Sequence, residues 1–138
     1  MRDPARSRGS LTVELVVLAP VVFVFVLTAL ALGRFELARE QVVSAARAGA
    51  QAASVVASPA DAQSATVDAV DPIIDAQSHT CAQLSVVADT SQFVPGGSVR
   101  VVVTCQIDFT DLLLPGFPGH AVVHEAVTAP IDPFRSVP

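Results

Sequence analysis

The stretch LTVELVVLAPVVFVFVLTALALG, residues 11–33, contains a single charged side chain, that of Glu14. As an α-helix rising 1.5 Å per residue, it measures about 34 Å, which is enough to cross a bilayer core of about 30 Å. The apolar part of a secretory signal is usually shorter, about 7–15 residues. We therefore expect a transmembrane helix over residues 10–33.

Charge is distributed unequally on the two sides of this helix. Residues 1–9 carry three arginines and one acid, whereas the chain from Arg34 onward carries five arginines and eleven acids. Positively charged flanks stay in the cytoplasm, so residues 1–9 form a basic cytoplasmic leader and the rest is expected to be extracytoplasmic. An acidic outer part in a chain without lysine also argues against a nucleic-acid partner, because phosphate binding needs clustered basic residues.

The membrane helix is expected to continue outward through residues 34–57. After Gly33 this range contains no proline and one glycine. Apolar or small residues recur in it at alternating spacings of three and four, which gives a stripe of period 3.5. Small side chains let another element pack closely, and the sequence leaves open whether that element belongs to this chain or to another copy. The stripe consists of Phe35, Ala38, Val42, Ala45, Gly49, Ala52 and Val56.

Residues 58–138 read as a small extracytoplasmic α+β domain. Ser58-Pro59 has the form of a helix cap followed by proline at the first helical position, which predicts a short helix over residues 59–70, ended by Asp71-Pro72. The fold class predicted for the whole chain is α+β, with a long N-terminal helix, this short helix and a small antiparallel sheet. Strand-like alternation predicts the sheet at residues 82–89, 98–109 and 120–129, with a loop at 112–119.

Both cysteines, Cys81 and Cys105, lie in the outer part. In an oxidising compartment such a pair is expected to form a disulfide, and two buried thiols are the alternative. A hairpin of the first two strands centred near Phe93 would place the two cysteines opposite each other. Closing a loop of this size stabilises a fold by roughly 3–3.5 kcal/mol in the chain-entropy model.

The sequence offers little catalytic chemistry. His120, His124 and Glu125 fall on a predicted strand, where two histidines four residues apart stand about 13 Å apart and do not share a metal. We therefore expect no catalytic site, cofactor or metal site, and no enzyme activity. Four aspartates around the second helix lack the spacing of a calcium loop and are expected to form a solvated face: Asp61, Asp68, Asp71 and Asp75.

Gly9 ends the basic leader and is followed by SLTVE, residues 10–14, which resembles the prepilin pattern. In that pattern a peptidase cuts after the glycine, and the glutamate is the fifth residue of the mature chain. Cleavage between Gly9 and Ser10 would free an α-amine at Ser10, one helical turn from Glu14. The resemblance implies that this amine, from the same chain or a neighbouring copy, pairs with the carboxylate.

Residues 13–53 resemble the TadE-like pseudopilins of tight-adherence (Flp) pilus systems. The features that carry the likeness are Pro20, Gly33-Arg34 and the element AARAGA at residues 45–50, and residues 98–119 resemble actinobacterial versions. The resemblance implies a minor pseudopilin that is cut by prepilin peptidase and used in assembling or priming an adhesive pilus. The implied partners are a TadF-like pseudopilin, the major Flp pilin and the inner-membrane pilus platform, and whether the protein enters the surface filament is left open.

Two other functions remain open at this point. Ala29-Leu30-Ala31 offers a signal-peptidase site before Leu32, which would release a secreted binding module. Without any cleavage, the protein would be an anchored single-span envelope protein, such as a sensor or a small acid-dependent enzyme. The three alternatives differ in the N-terminus of the mature chain.

Overall fold

The computed structural model describes residues 6–76, 81–110 and 119–135. It confirms the α+β class, with two helices followed by one antiparallel sheet of order β1-β2-β3. The elements, in chain order, are α1 (Arg6–Val55), α2 (Pro59–Asp75), β1 (Gln83–Asp89), β2 (Ser98–Asp108) and β3 (His120–Pro130).

Helix α1 is continuous over 50 residues, which corresponds to about 75 Å. Pro20 lies inside it without ending it. At its N-terminal side it extends into the expected leader, since it begins at Arg6 and includes Gly9 and Ser10. The predicted membrane segment and its outward continuation are therefore parts of one helix.

Helix α2 begins as predicted. Ser58 has extended backbone angles (φ −130, ψ 153), and its side chain accepts a hydrogen bond from the Asp61 N–H. The predicted end is wrong, because the helix passes through Asp71-Pro72 and stops at Asp75. Continuing the helix buries Ile74, which is 6% exposed. That burial is worth about 1.5–3 kcal/mol, comparable with the ~3 kcal/mol that an interior proline costs.

The three predicted strands are confirmed to within one residue at each end, and the predicted alternation of β2 is present. Its inward residues are buried while Arg100 and Asp108 are exposed. The inward face of the sheet packs against both helices and forms the core of the outer domain. The buried residues of β2 are Val99, Val101, Val103, Cys105 and Ile107.

The disulfide between Cys81 and Cys105 is confirmed, with the two Cα atoms 5.3 Å apart. The hairpin register predicted alongside it is wrong, because Leu84 rather than Cys81 lies opposite Cys105. The centre of the hairpin falls between residues 94 and 95 instead of near Phe93. The physical reason is that Phe93 is buried in the core, while Gly96, at φ 76, supplies the left-handed backbone of the turn.

Candidate functional site

The inner part of α1, residues 13–32, exposes apolar side chains on all sides as far as Val26, while Ala31 near its outer end is buried. Phe25, for example, is 73% exposed. In the part of the chain that the structure describes, α1 is the one helix long and apolar enough to cross a membrane. Exposed apolar surface of this extent is unfavourable in water, so the arrangement is compatible with a single-pass membrane protein.

Glu14 lies on this apolar surface and is exposed. It has no ion-pair or hydrogen-bond partner among the residues whose side chains the structure describes. Gly9 and Ser10 belong to the same helix, so the proposed cleavage site and Glu14 are about one turn apart. Cleavage after Gly9 and pairing of the Ser10 amine with Glu14 stay predictions.

The outer part of α1 buries the predicted stripe against the chain's own outer domain. Ala38, Val42, Ala45 and Gly49 are buried, while Phe35, Ala52 and Val56 are half-buried. The stripe therefore packs within the chain. The buried surface is wider than expected, because three further alanines that the period-3.5 stripe omits are also inaccessible: Ala46, Ala50 and Ala53.

Gly49 marks a close approach between α1 and the domain. A Cβ at this position would lie 3.0 Å from the side chains of Thr66 and Val70 on α2, and 3.4 Å from Val101 on β2. These distances are at or below ordinary van der Waals contact, so a larger residue requires the elements to move apart. By contrast, a Cβ at Gly33 meets nothing within 4 Å.

Residues 9–51 match the model of a family described as TadE-like protein. Over this range, which we call the TadE-like segment, the chain is similar to that family. The matched range contains Gly9, Glu14 and the stripe as far as Gly49, and it ends before α2 and the sheet. The expected likeness of residues 98–119 to actinobacterial versions lies outside the matched range. Comparison with curated proteins and with solved structures found no match.

Arg135 binds the C-terminal end of α1, the helix that contains the TadE-like segment. Its Nη1 and Nη2 atoms donate hydrogen bonds of 2.8 Å to the backbone carbonyls of Ser54 and Val55. Its guanidinium carbon also lies 5.9 Å from the centre of the Phe93 ring. The last carbonyls of a helix lack partners within the helix, and the last turn of α1 has no basic residue of its own. Sequence reasoning missed this role, because the arginine is 80 residues away along the chain and no local pattern marks it.

A second polar contact joins the TadE-like segment to the sheet. Arg39 Nε lies 3.3 Å from Glu125 Oε1 on β3, with side chains 57% and 27% exposed. Glu125 and His124 lie on opposite faces of β3. The Nδ1 atom of His124 is 3.0 Å from Thr104 Oγ1. His120 is exposed at the start of β3.

Metal-ligating side chains are dispersed over the described part of the chain. No group of three or more His, Cys, Asp or Glu residues in the described ranges is placed to hold a metal ion. The four aspartates around α2 are exposed on the helix surface. In the turn after β1, a 2.9 Å hydrogen bond from the Ser91 N–H lowers the pKa of the Asp89 carboxyl below 3.8. That contact stabilises the turn at neutral pH and is lost as the pH falls through the lowered pKa.

Proposed function

We propose that this chain is a minor pseudopilin of a Tad pilus, cut by prepilin peptidase between Gly9 and Ser10 and used in assembling or priming the pilus. The observation that carries the proposal is the position of Glu14. It is an exposed acid on an otherwise apolar helix surface, one turn from Ser10 and within the TadE-like segment.

An ionised carboxylate at bilayer depth costs about 2.5–3.5 kcal/mol on the insertion scale, so Glu14 requires a compensating partner. Cleavage after Gly9 creates one, because it frees the α-amine of Ser10, a group that can carry a positive charge. An acid and a cation one helical turn apart attract each other. A neighbouring copy can supply the amine instead, which would link neutralisation of Glu14 to assembly.

The outer domain fits an extracytoplasmic position on this proposal. Its disulfide is typical of an oxidising compartment, and its acidic character contrasts with the basic leader. The implied partners are a TadF-like pseudopilin, the major Flp pilin and the inner-membrane platform. In this role the protein is a substrate of the peptidase and performs no catalysis itself.

The direct test is the mass of the mature protein purified from the membranes of its native host. The proposal expects the loss of residues 1–9, about 1 kDa, from the N-terminus. A loss of about 3 kDa would instead indicate signal peptidase acting after Ala31 and a released binding module. An uncut chain would indicate an anchored envelope protein, and either of these results would overturn the proposal.

Glu14→Gln tests the role of the carboxylate separately. We expect cleavage after Gly9 to persist while surface pili or adhesion are lost, because the α-amine no longer has a charged partner. Asp75→Asn is the matched control, since it neutralises an exposed acid at the end of α2. Unchanged piliation in the Glu14→Gln strain would mean that the pairing does not take place.

A further inference from the structure

The outer part of α1 carries a charged face that the chain's own domain does not cover. Glu36, Glu40 and Arg47 are all exposed, and none has a hydrogen-bond or ion-pair partner among the residues that the structure describes. At 100° per residue the three lie within about 40° of one another around the helix. They share a shallow depression on the surface of α1 with Val43 and Ser44.

This charged face points away from the domain. Its centre is about 170° around the helix from the centre of the buried stripe, so a neighbouring helix can approach it without displacing α2 or the sheet. Arg39, which also borders the depression, is already paired with Glu125. The charges left without partners are therefore two acids nearer the membrane and one arginine further out.

The pattern disfavours contact between copies at equal height. Two copies side by side in one membrane would place Glu36 and Glu40 against the same acids of the neighbour, and like charges repel. Within one helix Glu36 and Glu40 are already four residues apart, a spacing at which like charges are mildly destabilising. Arg47 is seven residues beyond Glu40 and eleven beyond Glu36.

We propose that this face binds a second copy of the chain that is displaced outward along the helix axis by about 10–16 Å, the rise of seven to eleven residues. In this arrangement Glu40 and Glu36 of the raised copy meet Arg47 of the lower copy. With a displacement of this size, the apolar segments of the two copies no longer lie at the same depth in one flat membrane. The inference therefore rests on the proposed function and deepens it, because it places this pseudopilin inside a stacked filament rather than only at its initiation.

The same displacement acts in the right sense at the membrane end. Raising one copy by four residues, about 6 Å, brings its Ser10 level with Glu14 of the lower copy, and the smallest proposed rise of about 10 Å carries it roughly 4 Å beyond that height. By helical angle Glu14 is about 40° from Glu36, so the two contacts lie on the same side of α1. Charge complementarity outside the membrane and pairing of the mature N-terminus thus favour one direction of stacking.

Cysteine cross-linking in piliated cells of the native host tests the displacement. Ser44→Cys and Gln51→Cys are placed on separately tagged full-length copies, because these exposed residues have the same seven-residue offset and leave the charges intact. The native cysteines are joined to each other, so the introduced thiols are the free ones. We expect disulfides between position 44 of one copy and position 51 of the other, well above 44–44 and 51–51 products.

Reversing the charges tests whether pairing of Glu36 and Glu40 with Arg47 produces the displacement. Arg47→Glu should abolish the 44–51 product, and combining it with Glu36→Arg and Glu40→Arg should restore it by inverting the whole pattern. Asp68→Arg, an exposed residue of α2, is the matched control and should leave the product unchanged. Persistence of the product in the Arg47→Glu copy would overturn the charge pairing.

The remaining outcomes also separate the two proposals. Predominant 44–44 and 51–51 products would show contact at equal height and overturn the displacement. Cross-linking only to a protein of different mass would show that another chain occupies this face, which overturns the choice of a second copy. The mature mass is measured in the same cells. Correct cleavage without a 44–51 product contradicts this inference alone, whereas an uncut chain contradicts the proposed function.

Discussion

The two parts of α1 differ in the size and the placement of their apolar residues. Residues 13–26 are rich in Val, Leu and Phe on every side and are exposed, whereas residues 35–55 bury small apolar residues on one side. Large side chains on all sides need a surrounding apolar solvent, which a bilayer provides. A one-sided set of small residues needs a closely packed neighbour, which the outer domain provides. The size and angular distribution of the apolar residues therefore indicate which surroundings each part requires.

The largest expected effect comes from breaking the close contact in the outer part. Gly49→Leu forces side-chain atoms into Thr66 and Val70, so it should lower the free energy of unfolding of the outer domain by about 3 kcal/mol or more. Circular dichroism of the full chain in detergent during chemical unfolding would measure the change. Circular dichroism suits this chain because it contains no Trp or Tyr for fluorescence.

Gly33→Leu is the matched control for this prediction. A Cβ at position 33 meets nothing within 4 Å, and leucine is a better helix former than glycine by about 0.5–1 kcal/mol. The Gly33→Leu protein should therefore unfold like the unaltered chain or at slightly higher denaturant. Equal destabilisation by both substitutions would contradict the assignment of close packing to the outer part alone.

The difference between these two glycines also shows which features a local sequence pattern can predict. The stripe identified Gly49 as a packing residue because periodicity in a helix is a local property. Alternation identified the inward residues of β2 for the same reason. The disulfide was also predicted correctly, although the hairpin register offered in its support was three residues out.

The features that were missed depend on contacts between distant residues. The helix continues past Pro72 because Ile74 is buried in a core formed with other elements, and local propensity alone favours stopping. The hairpin centre is displaced because Phe93 is needed in that core. Arg135 binds the end of α1 from the opposite end of the chain. None of these contacts has a signature in the neighbouring sequence.

The next largest effect concerns the C-terminal end of α1. Arg135→Gln removes a cation that donates two hydrogen bonds to the carbonyls of Ser54 and Val55, and bonds to a charged group contribute about 1.5–3 kcal/mol. Because Arg135 is half-buried, we expect a loss of about 1–2 kcal/mol in the stability of the outer domain. Hydrogen exchange should quicken at residues 52–55 and stay unchanged at residues 13–26.

Arg100→Gln provides the comparison for Arg135→Gln. Arg100 is exposed on β2, so removing its charge should change stability by no more than about 0.5 kcal/mol. Similar losses from both substitutions would indicate that the total charge of the domain matters and that the contact at the end of α1 does not.

The smallest expected effect concerns the Arg39–Glu125 contact, near the boundary between the two parts of α1. Arg39 and Glu125 form an ion pair just outside the membrane part, but the arginine is 57% exposed, so solvent screens the attraction. A double-mutant cycle with Arg39→Gln and Glu125→Gln should give a coupling of about 0.2–1 kcal/mol that decreases when salt is raised to 1 M. A coupling several times larger that is insensitive to salt would mean that this junction is desolvated, as it would be if the headgroup region reached β3. The cycle therefore measures both the strength of this contact and its exposure to solvent.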